Sequence, residues 1–492
     1  MNLDATPDRQ GTVSNVVRGL FEGEISRRDF VRRATILGLS GGAISALLAA
    51  CGTSGGSTSS GGSSGSFDAK KYAGTQINIL MTGDENDHRA LGDKLTELQA
   101  ETGIKVQITA PSLTPLINKT LENLKASKSD FELIEYLGFL TTQQVGAGYF
   151  EKLTPYLKDP TETPPDYDFT DLVKANLDNV GYYDISAHKL GSGSDIYGIP
   201  GLHSGSVIYY YRKDLFDQAG LKPAKTWDEF KAAAVKLNSK DVAGCSFIGA
   251  DDFSLPTVDW YTRFITTGGK LMSGSPQTKN FKPNLTGHEA VNALQMLVDL
   301  LPYAPKNVTQ YGFSQNVDGF STGKIAQMIF WSTIAGPVFN PNTSKVADKT
   351  GTAAVPANPP SKPSAILGGW GVGIPKNADP AKKKAAWRAL TWMTSKKFNI
   401  FEEQKYQIDA SRSSAYSDPA LIKQLPYLPN AGNANSHAQI IETSILDEFF
   451  QLNTIMQTEF NKALIGGQNA ATACANVQSQ WEAVLRKGGY LA

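Results

Sequence analysis

Cysteine is scarce: Cys51, Cys245 and Cys474 are the only three in 492 residues. So few rule out a disulfide-built scaffold, and Cys245 and Cys474 fit either one disulfide outside the cytoplasm or two buried thiols. Histidine is nearly as rare. His88, His188, His203, His288 and His437 form no H-E-x-x-H or other close pair, so no metal site is expected, and nothing calls for a cofactor. Neither sign of charge prevails, with 47 basic and 47 acidic side chains. That balance excludes nucleic acid and anionic membrane as the main partner. Catalytic signatures are missing as well. Two G-x-S-x-G matches, Gly52–Gly56 and Gly61–Gly65, lack the strand and helix a nucleophile elbow needs. Gly201-Leu-His-Ser-Gly205 has no glycine two before its serine, and Gly369-Trp-Gly-Val-Gly373 is not G-x-G-x-x-G. Acidic residues are plentiful, but sequence cannot set two of them across a cleft as a glycosidase pair. The expectation is a binding protein, not an enzyme.

What the chain does have begins near its start. Ser26-Arg27-Arg28-Asp29-Phe30 resembles a twin-arginine export signal, and 17 uncharged residues, Ala34–Ala50, follow. Three glycines and two serines inside that run, and its length, make it too weak for a spanning helix. A basic segment, an apolar segment and small residues before a cleavage point read as a secretory signal. Leu48-Ala49-Ala50-Cys51 resembles a bacterial lipobox, which would make Cys51 the first mature residue and its lipidation site. Residues 53–66, TSGGSTSSGGSSGS, then form a flexible tether. The expected location is the outer face of the cell membrane. Losing residues 1–50 leaves 41 basic and 42 acidic side chains. The remaining 442 residues exceed what one core usually supports, so at least two lobes are expected.

From Phe67 the pattern alternates. Gln76–Met81 reads as a strand, Leu91, Leu95 and Leu98 share a helix face ending at Gly103, and Ile104–Ile108 is a second strand. Strand, helix, strand opens an α/β domain with parallel pairing. Further strands are expected at Phe131–Tyr136, before Asp214 and at Ile325–Trp331. Thr226-Trp-Asp-Glu229 fits a capping box before a helix, Glu289–Leu301 is another helix, and Asp379-Pro380 would start a third that carries Trp387, Leu390 and Met393. The tail from about Ser436 is helical, with Ile441, Ile445, Leu446, Phe449 and Leu452 at helix spacing.

Aromatic residues in turns are the informative feature. Trp331 follows a strand, Trp370 sits between Gly369 and Gly371, and Trp260-Tyr261 follows Asp259. Indole faces suit the C–H faces of a sugar ring, while neighbouring carboxylates and amides satisfy its hydroxyls. Trp227, Trp387 and Trp392, on helix faces, read as core. Trp370 reads as site, because glycines on both sides leave little bulk to bury it.

The order of these pieces resembles the extracellular solute-binding proteins of ABC importers, the group that includes the maltodextrin-binding protein. The blocks that carry it are Ile77–Val106, Tyr197–Phe230, Phe320–Trp331 with Gly323-Lys-Ile-Ala-Gln-Met, Gly368–Met393, and Leu464-Ile-Gly-Gly-Gln-Asn. The resemblance implies an α/β fold of two periplasmic-binding-protein-like lobes (type II), joined by crossing hinge strands, with a helical C-terminal tail. By analogy lobe one would be residues 67–207 with 328–376, and lobe two 208–327 with 377–492. The ligand would be a mono- or oligosaccharide held between the lobes of a monomer and passed to the permease. A polyol or glycerol-phosphate-type ligand, a sensory role, and a secreted glycan-processing enzyme are the alternatives. Implied cleft residues are Asp84 and Glu85, Tyr136 in place of a stacking Trp, Leu202 and His203, Asp259, Trp260 and Tyr261, Trp331, and Gly369 and Trp370. Arg412 resembles part of a P-x-R-x-S block without its proline.

Overall fold

Residues 66–201, 205–359 and 364–492 are described by a computed structural model. The signal-like segment, Cys51, most of the Gly/Ser tether, Leu202 and His203 lie outside those residues. Strand β1 (Gln76–Leu80), helix α1 (Asp87–Thr102) and strand β2 (Lys105–Thr109) form where hydrophobic periodicity puts them. β1 and β2 pair in parallel, from Gln76 opposite Lys105 to Leu80 opposite Thr109. α1 ends at Gly103 with φ +71°, a left-handed cap that costs a residue without Cβ little.

The chain continues through α2 (Leu113–Lys125), β3 (Leu133–Leu137), β4 (Ile199–Pro200) and β5 (Val207–Arg212). Then come α3 (Trp227–Leu237), α4 (His288–Leu300), α5 (Phe313–Ser321), β6 (Gln327–Trp331), β7 (Thr350–Ala353) and β8 (Trp370–Gly373). The last long elements are α6 (Lys383–Met393), α7 (Lys396–Tyr406), α8 (Phe449–Leu464) and α9 (Ala470–Lys487). One sheet runs β2-β1-β3-β8-β4, with β8 antiparallel to its neighbours. A second, antiparallel sheet runs β6-β5-β7. The capping box at α3 is present, with Thr226 and Glu229 satisfying each other's backbone N–H groups.

Strand alternation sorts the first sheet's side chains onto two faces. Ile77, Ile79, Leu133 and Val372 face one apolar core, while Leu80, Ile134, Tyr136 and Trp370 face the other. Helices α6 and α7 cover the first face. Trp387, Leu390, Met393 and Phe398 pack with Ile77 and Ile79, so this stretch joins the first sheet and not the second lobe expected of it. The second sheet has its own core, drawn from residues 207–366 and 434–485 with Phe139 added from the first. β6, expected in the first lobe from residue 328 on, pairs with β5 along its whole length and belongs to this second core.

Two local expectations change. Asp379-Pro380 does not start α6, because Lys382 N donates to Asp379 O at 2.9 Å and closes a turn first. Ile441, Ile445 and Leu446 precede α8 in turns and bury there without a continuous helix. Cys245 and Cys474 are separate buried thiols, both pushed up to about 12 by burial. Among the described residues no helix is long and apolar enough to cross a membrane.

Candidate functional site

A cavity of about 410 Å³ opens where strands of both sheets end. The turn after β1 supplies Thr82, Asp84 and Glu85, and the end of β3 supplies Leu137 and Phe139. Trp331 and Thr333 come from the end of β6, and Gly368, Gly369 and Trp370 from the start of β8. Asp252, Phe253 and Ser254, with Phe313 and Ser314 at the start of α5, complete the wall. Carboxyl ends of parallel strands are where α/β sheets place ligands, because successive connections diverge there and leave a crevice.

Backbone bonds at the crossing between the sheets hold the aromatic faces. Gly368 N donates to Gly205 O at 2.7 Å, Gly138 N to Gly369 O at 3.0 Å, and Asn179 Nδ2 to Gly368 O at 2.8 Å. The Trp331 indole lies so close to Gly368 that a Cβ there would meet the ring at 2.9 Å. Glycine is therefore required for the indole to lie against the chain. Tyr210 Oη donates to the carbonyls of Trp331 and Ser332 at 3.1 and 3.2 Å, and Ser206 N donates to Ser332 Oγ at 3.1 Å. These bonds fix the end of β6 from behind. Trp331 stays half-buried, whereas Trp370 is 6% exposed. Phe139 crosses to the second core, its ring 5.9 Å from Phe253 and 5.6 Å from Phe449.

Among the described residues of the lining the ionisable groups are the carboxylates Asp84, Glu85 and Asp252. Asp84 Oδ2 accepts from Leu113 N at 2.8 Å, and Asp252 Oδ1 from Ser254 N at 2.8 Å. Each of these two aspartates thereby keeps an oxygen for a ligand. No Lys, Arg or His occurs among the described residues of the wall, and among the described residues no cluster could hold a metal ion. Aromatic faces, carboxylates and hydroxyls in one crevice can bind a polyhydroxylated molecule by stacking and hydrogen bonding.

Of the residues expected at the site, Asp84, Glu85, Trp331, Gly369 and Trp370 line the cavity together. Five others lie elsewhere. Tyr136 is 2% exposed, because strand parity turns it onto the inner face, over Gly371, and its hydroxyl donates to Val180 O. Asp259, Trp260 and Tyr261 are buried in the second core, on a helical stretch where Arg263 follows one turn after Asp259. Arg263 Nη1 reaches Asp259 Oδ1 at 3.1 Å, and Ile248 N donates to Asp259 Oδ2 at 2.8 Å. Burial pushes the Asp259 carboxyl up to about 6, with Arg263 opposing the rise. Trp260 donates to Ala290 O at 3.0 Å and stacks on Phe264 at 4.7 Å. Arg412 is 1% exposed, and its guanidinium donates to the carbonyls of Tyr167, Asp168 and Thr394. It clamps backbone, and its Nη1 also lies 3.7 Å from Asp171 Oδ2.

Several lining residues escaped sequence reasoning, chiefly Phe139, Asp252, Phe253, Ser254, Phe313 and Ser314. Phe139 follows a predicted strand by a few residues, which is the one signal that pointed to it. The others sit at loop-to-helix junctions that periodicity does not mark.

Residues 84–400 match the sequence profile described as bacterial extracellular solute-binding protein. The chain is 26% identical over 435 residues to a probable amino-acid ABC transporter periplasmic-binding protein of Sinorhizobium fredii, covering 86% of this chain and 92% of that one. It is 26% identical over 356 residues to a mannitol-binding protein of Pseudomonas aeruginosa, covering 68% and 77%. Among solved structures, an ABC transporter solute-binding protein from Agrobacterium radiobacter in complex with ribitol has a TM-score of 0.73 at 23% identity, covering 84% and 99%. The fold is thus the two-lobed α/β fold of periplasmic binding proteins.

Proposed function

The chain belongs to the bacterial extracellular solute-binding proteins, and we propose that it captures a sugar or polyol in this cavity and passes it to an ABC permease. The observation that supports this is the meeting of Trp331, Trp370 and Phe139 with Asp84, Glu85, Asp252 and Ser254 around one opening between two sheets. Stacking would supply affinity and the carboxylates direction. The relative named for mannitol points the same way. Binding without chemistry is the mode proposed, since no nucleophile–base pair or metal cluster stands among the described lining residues.

The lobes would meet at residues 205–206, 331–333 and 367–369, with residues 372–408 in the first lobe and 207–330 in the second, and would close by hinge motion about those strands. Export through the twin-arginine signal and a lipid on Cys51 would hold the protein, as a monomer, at the outer face of the membrane. Replacing Cys51 by Ala should release it into the medium, and fractionation would show it.

The test is thermal shift of the purified chain with sugars, polyols, sugar phosphates and amino acids. A rise that grows with ligand concentration and leaves the ligand intact supports the reading, because a ligand that binds only the folded state stabilises it by mass action. Amino acids belong in the panel because one relative is named for them. A shift with amino acids alone would replace the carbohydrate reading, and turnover of a glycan would remove the non-enzymatic one.

A further inference from the structure

A second crevice, of about 390 Å³, shares no described lining residue with the first. Thr142, Tyr183 and His188 wall it from the side of the first sheet, Tyr183 packing in the same core as Tyr136 and Trp370. Leu446 and Tyr490 wall it from the second core, with Gln277 and Asp447 exposed at its rim. Gln143 Nε2 donates to Asp447 O at 3.0 Å and ties the two sides together beside it. Thr142 lies three residues after Phe139 of the first cavity, and Asp447 two before Phe449, whose ring is 5.6 Å from that of Phe139. The two crevices therefore adjoin across this aromatic contact. An unmet polar pair marks the second one as a site. Tyr183 and Thr142 are 1% and 7% exposed, and their hydroxyls bond at most to each other. One bond between two hydroxyls uses one O–H and leaves the other donor unmet, which is costly in a buried place. Burial pushes the Tyr183 phenol up, so it stays a donor. A ligand hydroxyl both accepts and donates, and so answers this pair. Leu446 and the Tyr490 ring offer apolar faces to C–H groups, while His188, Gln277 and Asp447 offer partners to further hydroxyls. A molecule seated there touches both sides and favours the arrangement in which they meet.

We propose that this crevice is a second binding site, taking a sugar or polyol molecule separate from the solute of the first cavity. The test is fluorine NMR of the full chain with fluorinated tyrosines and tryptophans, titrated with D-mannitol, D-glucose and maltose. Tyr183→Phe identifies the Tyr183 signal by its loss, and Trp331→Ala and its Trp370 counterpart identify the signals of the first cavity. At least one probe should shift the Tyr183 signal to saturation, and should still do so in Trp331→Ala. Thr142→Val keeps the side chain's shape and removes its hydroxyl, and should weaken that response by about tenfold. Without any probe, Tyr183→Phe should keep the urea midpoint of the wild type, whereas a hydroxyl that the fold itself needs would lower it. A Tyr183 signal that no probe moves up to about 50 mM, far above a millimolar Kd, overturns the proposal. So does one that moves only with the tryptophan signals and no longer moves in Trp331→Ala. Tryptophan signals that move while Tyr183 stays still would leave the carbohydrate reading of the first cavity standing. Silence of all of them would count against both.

Discussion

Trp260 and Trp331 look alike in the sequence, each an indole beside polar neighbours and near a turn. The fold gives them opposite work. Trp260 is fully buried in a helical stretch, its N–H taken by Ala290 and its face by Phe264. Trp331 ends a strand at the crossing of two sheets, its ring close against Gly368 and lining the cavity. What separates them is the element and its end. A residue at a strand's carboxyl end, with glycine as its neighbour in space, has a free face. A residue within a helix packed on other helices has none. The acids follow the same division: Asp259 is enclosed with Arg263, whereas Asp84 and Asp252 stand at the cavity wall.

The largest effect should come from the enclosed site. Arg263→Met leaves Asp259 buried without its partner and removes the guanidinium 4.7 Å from the Trp227 ring. Breaking a buried pair typically costs about 3–5 kcal/mol. A urea titration should show that loss, while the folded fraction keeps its ligand affinity. Unchanged stability would mean that the pair is not enclosed as described.

Trp331→Ala should do the reverse. Removing a stacking face from the cavity should weaken binding by about 1–3 kcal/mol. Its urea midpoint should move less than that of Arg263→Met. Equal affinity in a folded Trp331→Ala protein, measured by titration with whichever ligand the thermal-shift panel identifies, would take Trp331 out of the site.

The two α/β units were legible because period-2 and helix-period patterns report burial directly, as β1, α1 and β2 show. Trp331, Trp370, Asp84 and Glu85 were legible as cavity residues because each adjoins a strand end or a glycine turn visible in the sequence. Tyr136 was not, although it sits on the predicted strand. Its face depends on parity against β8, a strand more than 200 residues away, and on Gly371 opposite it leaving room for the ring. Arg412 and Asp259 misled for a related reason. An arginine or aspartate in a short polar stretch looks ready for a ligand until the carbonyls and the guanidinium that occupy it are seen. The placement of α6 and α7 with the first sheet was likewise hidden, since an apolar stripe says that a helix is covered and not by which sheet.

Smaller effects sharpen the comparison further. Gly368→Ala would bring a Cβ to 2.9 Å from the Trp331 ring and 3.4 Å from Gly205 O. The indole must tilt to relieve this, so affinity should fall by about tenfold or less, with a smaller loss than removing the ring outright. Unaltered affinity would show that the ligand does not use that face.

A last contrast concerns how the enclosed acid responds to pH. Burial raises Asp259 from 3.8 to about 6, so between those values the folded protein holds a proton that the unfolded chain has released. Its contribution to stability is full below about pH 4 and falls as pH rises to about 6. Above that the two states are equally ionised at this position and the contribution is flat. Asp259→Asn has no proton to release there. The stability of the wild type minus that of Asp259→Asn should therefore decline across this window and level off beyond it, read from urea midpoints at successive pH values. If the difference for Asp259 is constant through the window, the carboxyl is already ionised at low pH, and Arg263 outweighs burial at this site.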